Sequence, residues 1–313
     1  MSTLTEIELS IVATIYNDEK IVPMLVSEIG KHVSMLNITY EIILVNDNSR
    51  DNSEKAIEEE CKKDPRVKGI SLSRNFGQQI AMSAGMRYAK GNYILIMDGD
   101  LQNPPAEIPR LFIKIKEGYD IIYCVSKSRN NFVDEITSVL FWFILVKIFK
   151  VNIIKNQLMM KIMTKNFTEN YNQYNEINRT VAGIIQDIGL KYDVIEVQNQ
   201  KRHSGKTNYS FFKRFNLMID MIISLSTAPL NFMIYLGWII FVCTAFASVY
   251  YLVKFLFYDI TPGFTSIMLA LFFFGSIIIL MLGFIGRYLS NIYSEVRQRP
   301  LYIVEKKFNY ESI

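Results

Sequence analysis

Asp98 and Asp100 stand two residues apart at the end of an otherwise apolar run, NYILIMDGD at 92–100. Two carboxylates at that spacing suit a hard, oxygen-preferring divalent cation that also carries substrate phosphates. An acidic pair opens turns and caps helices too, so the spacing by itself leaves both roles open. Other polar groups fall at equivalent places: Tyr16, Asn17 and Asp18 after LSIVATIY (9–16), Asp47 at the end of YEIILVND (40–47), and Arg74 and Asn75 after VKGISLS (67–73). No GxGxxG follows the first of these runs and no GxxxxGK[ST] occurs anywhere, which removes the usual support for dinucleotide redox chemistry and P-loop hydrolysis. Three cysteines (Cys61, Cys124, Cys243) and two histidines (His32, His203) are scattered, so neither a thiolate zinc site nor a disulfide framework is indicated, and a reducing compartment is expected.

To bring those polar residues together, the chain needs a sheet whose strands all end on one side. The spacing predicts strands at 9–16, 40–47, 67–73, 92–98 and 120–126, with helical stretches at 18–36, 52–63, 77–89 and 106–117. Continuous apolar strands alternating with helices signal a mostly parallel α/β sheet covered on both faces. In such sheets ligands bind at the carboxyl ends of the strands, where the polar residues above collect.

The 313 residues are 50% hydrophobic and 20% charged, too apolar for a purely soluble enzyme and too charged for a transporter of many spans. Net charge is +4, from 34 basic and 30 acidic residues without a basic block, which argues against nucleic acid as a partner. Residues 230–257 contain one charge, Lys254, and residues 264–286 contain none; each is long enough to cross about 30 Å of hydrocarbon as a helix. The short YDITPG between them predicts an antiparallel two-helix hairpin. Lys201, Arg202, Lys206, Lys213 and Arg214 before it and Arg287, Arg297, Arg299, Lys306 and Lys307 after it place both ends on the cytoplasmic side. MSTLTEIELS has no basic or apolar signal region, so no cleavable signal peptide is expected. The expected organisation is a cytoplasmic domain at 1–208, an in-plane amphipathic helix at 209–228, a transmembrane segment at 229–287 and a cytoplasmic tail at 288–313, in the plasma (inner) membrane as a multi-pass protein. ITSVLFWFILVKIFKVNII at 136–154 carries Lys147 and Lys150 and reads as a packed or interfacial helix rather than a span.

LSIVATIYNDE (9–19), EIILVNDNSRDNS (41–53), SRNFGQQIAMSAGM (73–86), GNYILIMDGDLQNPP (91–105) and GFIGRYLSNIYSEVRQRPLYIV (283–304) together resemble the family 2 glycosyltransferases, over nearly the whole chain. The nearest group is the polyisoprenyl-phosphate sugar transferases, which includes dolichol-phosphate mannose synthase, bactoprenol glucosyltransferase and the undecaprenyl-phosphate formamido-arabinose transferase. The resemblance implies a GT-A fold in which Asp98, Asp100 and Gln102 hold Mg²⁺ or Mn²⁺ on the diphosphate of a UDP- or GDP-sugar. It implies that Tyr16, Asp18, Asp47, Asp98 and Gly99 contact the nucleotide sugar. Arg202, Gly205 and Tyr209 in KRHSGKTNY match the family's RxxGxSxY segment, so that Arg202 joins Asp98 and Asp100 as a catalytic candidate and, with Lys206, could hold a phosphate. The implied reaction is inverting transfer of one sugar to a polyisoprenyl phosphate such as undecaprenyl phosphate, feeding cell-envelope polysaccharide. A second copy of the chain and a flippase for the sugar-lipid fit such a role as partners.

Some positions depart from the family's pattern. Thr14 replaces a usual Pro, Asn46-Asp47 a doubled Asp, and Ala106 a usual Glu. The fifth strand ends in Ser126 rather than Arg, and Asp134-Glu135 precede Ser138 where basic residues are usual. Lys127 and Arg129 are the substitutes for gripping an acceptor phosphate, alongside Ser138, Arg202 and Lys206. The usual FRL segment becomes MKIM at 160–163, within a run, 158–165, that reads as packing. Plainer roles stand beside the functional ones: Asp47 as a cap for the helix after NDNSRD, Arg74 and Asn75 as turn-formers, Lys206 as a juxtamembrane charge, His203 as an exposed neighbour. Two other readings remain open: a glycosyltransferase acting on another lipid or glycan, and a catalytically silent membrane-anchored binding partner.

Overall fold

The computed structural model describes residues 6–126, 156–176, 191–197 and 263–310, with Ile154, Ile184, residues 187–189 and helical positions between 235 and 253. The chain divides into two compact units, one of residues 1–139, 152–209 and 300–313 and one of residues 140–151 and 210–299.

Eight strands of the first unit form a single sheet: β1 (Leu9–Ile15), β2 (Tyr40–Asn46), β3 (Val67–Leu72), β4 (Tyr93–Asp98), β5 (Ile121–Ser126), β6 (Gln157–Thr164), β7 (Tyr192–Val197) and β8 (Val304–Phe308). Their order is β7-β5-β6-β4-β1-β2-β3-β8. β1 pairs in parallel with β2 and β4, β2 with β3, and β5 with β7. Only β6 and β8 run against the rest. The sheet is therefore the mostly parallel α/β architecture that the sequence pattern predicts.

All seven residues of β1 and of β2 are buried, which is why these strands read as unbroken apolar runs. One face is covered by α1 (Val22–Ser34), α2 (Ser53–Lys63) and α4 (Ile108–Ile115), with Val22, Leu25, Ile29 and Val33 of α1 packed at helical spacing on Leu9, Ile11, Ala13 and Ile15. The other face takes α3 (Gln78–Tyr88) and α5 (Lys165–Gln173), whose Ala81, Met82, Phe167 and Tyr171 join Val12, Ile43, Val45, Ile94 and Ile96. Alternate residues of one strand thus feed two separate cores.

Two features go beyond the sequence reading. The packing run at 158–165 supplies β6, a central strand inserted between β4 and β5; an apolar run of that length does not distinguish helix from strand by periodicity. Within the segment expected as a tail, 288–313, α6 (Phe264–Val296) continues ten residues past 286, and β8 then pairs with the edge of β3. Lys306 forms a 2.6 Å ion pair with Glu54, and Ser73 donates its N–H to the carbonyl of Ile303 at 3.0 Å.

In the second unit, α6 has 33 residues, about 50 Å of helix. Among the described residues it supplies the one stretch long and apolar enough to cross a membrane, Phe273–Val296. Its Phe273, Ile278, Ile279, Leu282 and Ile285 are exposed, as are Tyr235, Trp238, Phe246 and Tyr250 among the described positions of the region expected to form the first span. The stretches at 136–153 and 209–226 lie outside the described residues.

Candidate active site

The carboxyl ends of β1 to β4 converge on one rim, and the loops there are locked to each other by side chains. Ser49 Oγ accepts the N–H of Asn17 at 3.0 Å, and Asn17 Oδ1 accepts the N–H of Arg50 at 2.7 Å. Ser53 Oγ accepts the N–H of Asp18 at 3.0 Å, Asp51 Oδ2 that of Glu19 at 3.0 Å, and Glu19 Oε2 that of Asn52 at 3.0 Å. Asn17 and Asn48 both take positive φ, the left-handed conformation that Asn tolerates best after Gly. The two loops form one clasp, with Tyr16 exposed on it. Burial pushes the Asp51 carboxyl up, and hydrogen bonds from the Ser53 hydroxyl and from the N–H groups of Glu19 and Ser53 outweigh it, leaving a pKa below the usual value.

Asp47 is 3% exposed and serves the next loop instead. Oδ1 accepts the N–H of Phe76 at 2.7 Å and Oδ2 that of Gly77 at 2.9 Å, immediately ahead of α3. Gly77 needs its glycine, since its φ is +93°. Burial raises the Asp47 pKa, opposed by those two N–H groups and by the charge of Arg74. The alternative of a cap for α2 is corrected: the Asp51 carboxylate there takes the N–H and hydroxyl of Ser53, because Asp47 is spent on the approach to α3. Asn75 donates to the carbonyl of Asp47 at 3.3 Å and Arg74 stacks on Phe76 at 4.1 Å, which gives both the turn-forming role.

Asp98 ends β4, and its two carboxylate oxygens are held by amides, Oδ1 by Gln78 from the first turn of α3 and Oδ2 by Asn103 at 2.8 Å. Gly99 lies so close to the carbonyl of Thr14 that a Cβ would collide with it, so the DGD turn is pressed onto the end of β1. Asp100 Oδ1 accepts the N–H of Gln102 at 3.0 Å, and the buried Leu101 between them has a φ of +59°, a strained conformation for a branched side chain. Asn103 is buried, and its Oδ1 has no partner among the described residues. Lys161 on β6 is 2% exposed. Burial lowers its pKa to about 8, with the charge of Asp98 acting in the opposite direction.

Asp98, Asp100 and Gln102 therefore lie within one turn, and all their donor atoms are hard oxygens, as Mg²⁺ or Mn²⁺ prefers. Among the described residues no cluster of three or more His, Cys, Asp or Glu could cage an ion alone. The donor set fits a cation that takes one or two carboxylates from the protein and further oxygens from substrate phosphates. Tyr16, Asp18, Asp47, Asp98, Gly99, Asp100 and Gln102 all stand on this rim, whereas Lys127, Arg129, Ser138, Arg202 and Lys206 lie outside the described residues. Sequence reasoning passed over Gln78, Asn103 and Lys161; a lone lysine inside LMMKIM was the available signal for the last.

The sequence model described as "Glycosyl transferase family 2" matches residues 10–168, from β1 into α5. The chain belongs to glycosyl transferase family 2. It is 34% identical over 308 residues to an uncharacterised glycosyltransferase of Synechocystis sp., covering 97% of each chain. It is 32% identical to the undecaprenyl-phosphate 4-deoxy-4-formamido-L-arabinose transferase of Proteus mirabilis, over 98% of this chain and 96% of that one. It is 29% identical to the prophage bactoprenol glucosyl transferase homolog of Escherichia coli, over 96% and 99%. The family and its polyisoprenyl-phosphate group are thus those the motifs resemble. The family match takes in every rim residue above, and the relatives extend it through α6 and β8.

Proposed function

We propose that the protein transfers one sugar from a UDP- or GDP-sugar to a polyisoprenyl phosphate, with inversion, at the cytoplasmic face of the plasma membrane. The observation that carries this reading is end-to-end likeness to transferases named for undecaprenyl phosphate and bactoprenol, in a chain with the DGD turn on a carboxyl-end rim. The exposed apolar surface of α6 supports a membrane-anchored organisation, with the hairpin at 229–287 carrying the domain.

An isoprenyl phosphate has a second pKa near ~6, so at neutral pH it is already a charged nucleophile and needs no strong base. The clasp bearing Tyr16 and Asp18 takes the base and ribose, and Gly99 lets the DGD turn pack directly on the end of β1 beside it. Asp98, Asp100 and Gln102 are the residues to hold Mg²⁺ or Mn²⁺, which when bound would neutralise charge on the leaving nucleoside diphosphate. Lys127, Arg129, Ser138, Arg202 and Lys206 are assigned to the acceptor phosphate. Attack from the face opposite the leaving group inverts the anomeric carbon.

A silent binding partner is the second reading, favoured by Asp134 and Glu135 where the family carries basic residues. The deciding experiment incubates the purified full chain with undecaprenyl phosphate, Mn²⁺ or Mg²⁺ and a panel of UDP- and GDP-sugars, following nucleotide release and lipid mass together. A lipid gaining one sugar, with turnover reduced at least about 100-fold by Asp100→Ala, is expected. Nucleotide release without a sugar-lipid would move the acceptor elsewhere, and silence across the panel would favour the binding partner.

A further inference from the structure

Among the described residues Lys161 is the largest charged side chain enclosed in the sheet's core, and the chemistry above does not use it. It sits mid-strand on β6, paired in register with Ile96 of β4 on one side and Tyr123 of β5 on the other. Met163 on the same face of β6 and the cross-strand partners Ile96 and Tyr123 are buried, so the position is one that an apolar side chain ordinarily fills. An ammonium group is costly in such a place unless a charge compensates it. Side chains alternate along β4, which puts Asp98 on the same face as Ile96 and one diagonal step from Lys161, within reach of a long side chain. Among the described residues Asp98 is the one carboxylate whose charge acts on the ammonium; the Cys124 thiol acts on it in the same direction, and the Tyr123 ring lies 5.7 Å from Nζ. The other described supports of Asp98, Gln78 and Asn103, are neutral amides that orient the carboxylate without balancing it.

We propose that Lys161 is a positioning residue for the donor site, the buried cation on β6 that holds the Asp98 carboxylate in place at the end of β4. This rests on the transferase reading for its purpose but not for its geometry. The pair fixes one carboxylate of the DGD turn before any donor or cation arrives, so that binding does not have to order it.

The pairing is tested on the full chain in detergent by thermal unfolding of Lys161→Met, Asp98→Asn and the double variant. Removing Asp98 strands the ammonium in the core and removing Lys161 leaves the half-buried Asp98 carboxylate without its counter-charge, whereas removing both does neither. Each single variant is expected to lower the midpoint by about 5 °C or more, and the double to return to within about 2 °C of the native chain. Additive losses would overturn the pairing. Should Lys161→Met fail to fold, recovery of folded protein in the double variant is the expected result, and failure of the double would equally overturn it. On the donor identified by the panel, Lys161→Arg is expected to keep kcat within about threefold while Lys161→Met loses about 100-fold, with KM for the donor little changed. Equal loss in both variants would leave Lys161 a packing residue. Silence on the donor panel with a non-additive cycle defeats the transferase reading alone; turnover with an additive cycle defeats this inference alone.

Discussion

Asp47 Oδ2 accepts the backbone N–H of Gly77 at 2.9 Å, joining the end of β2 to the start of α3. The bond carries further than its two partners, because the residue after Gly77 is Gln78, whose amide holds Asp98. A buried carboxylate at the second strand thus sets the position of the acidic turn at the fourth. Asp47→Asn keeps the shape but replaces one acceptor oxygen by a donor that faces an N–H. The expected cost is about 1–3 kcal/mol of stability, together with weaker nucleotide binding as Gln78 loses its place. Thermal unfolding and calorimetric titration with UDP and GDP read the two effects; an unchanged nucleotide affinity in a destabilised variant would break the link from Gly77 to Asp98.

The clasp between the β1 and β2 loops depends on an ionised Asp51, whose pKa is held below the ordinary value by the hydrogen bonds it accepts, against the opposing effect of burial. A carboxyl whose pKa drops on folding contributes fully above its unfolded value, about 4, and that contribution disappears as pH falls through the folded value. Nucleotide affinity and unfolding midpoint should therefore be flat with respect to this group above about pH 5 and fall below pH 4. Asp51→Asn should remove part of that fall and weaken the clasp at neutral pH. A native chain and an Asp51→Asn chain with superimposable profiles from pH 6 to pH 3 would assign the clasp to Ser49 and Ser53 alone.

The strands were legible because the β1 and β2 positions are buried on both faces, a burden that leaves only apolar residues. The aspartates were legible because they interrupt such runs at their ends. Helix α1 starts at Val22 rather than 18, since Asn17 to Glu19 are committed to the clasp and Pro23 suits the first helical turn. What stayed hidden is what holds the site. Gln78 lies 20 residues from Asp98 in sequence, and Lys161 reaches it only through the antiparallel pairing of β6 with β4. Polar partners brought together by sheet topology leave no periodic signal in the chain. β8 was hidden for a similar reason: VEKKF is exposed at its charged positions and belongs to a sheet edge formed about 230 residues earlier in the chain.

That last strand makes a prediction of its own. Asn309 follows β8 with a φ of +57°, and its Nδ2 points at three carbonyls, of Cys61 at 2.5 Å, Val67 at 2.8 Å and Asp64 at 3.4 Å. These are the carbonyls at the end of α2 and the entry to β3, so one side chain ties the C-terminal segment to the turn between them. Asn309→Ala loses those bonds and puts a residue less tolerant of the left-handed conformation than asparagine into that turn, and should lower stability by about 1–3 kcal/mol. Ending the chain at Arg299 should do far more, because it bares the edge of β3 and frees the N–H of Ser73, one residue before the loop that Asp47 holds. The truncated chain is expected to aggregate or to unfold well below the native midpoint, and Asn309→Ala to unfold between the two. Size-exclusion profiles and unfolding midpoints of the three chains side by side check the order. A truncated chain as stable and as monodisperse as the intact one would mean that β8 merely rests on the sheet, and that the donor loop is set by Asp47 without help from the segment after α6.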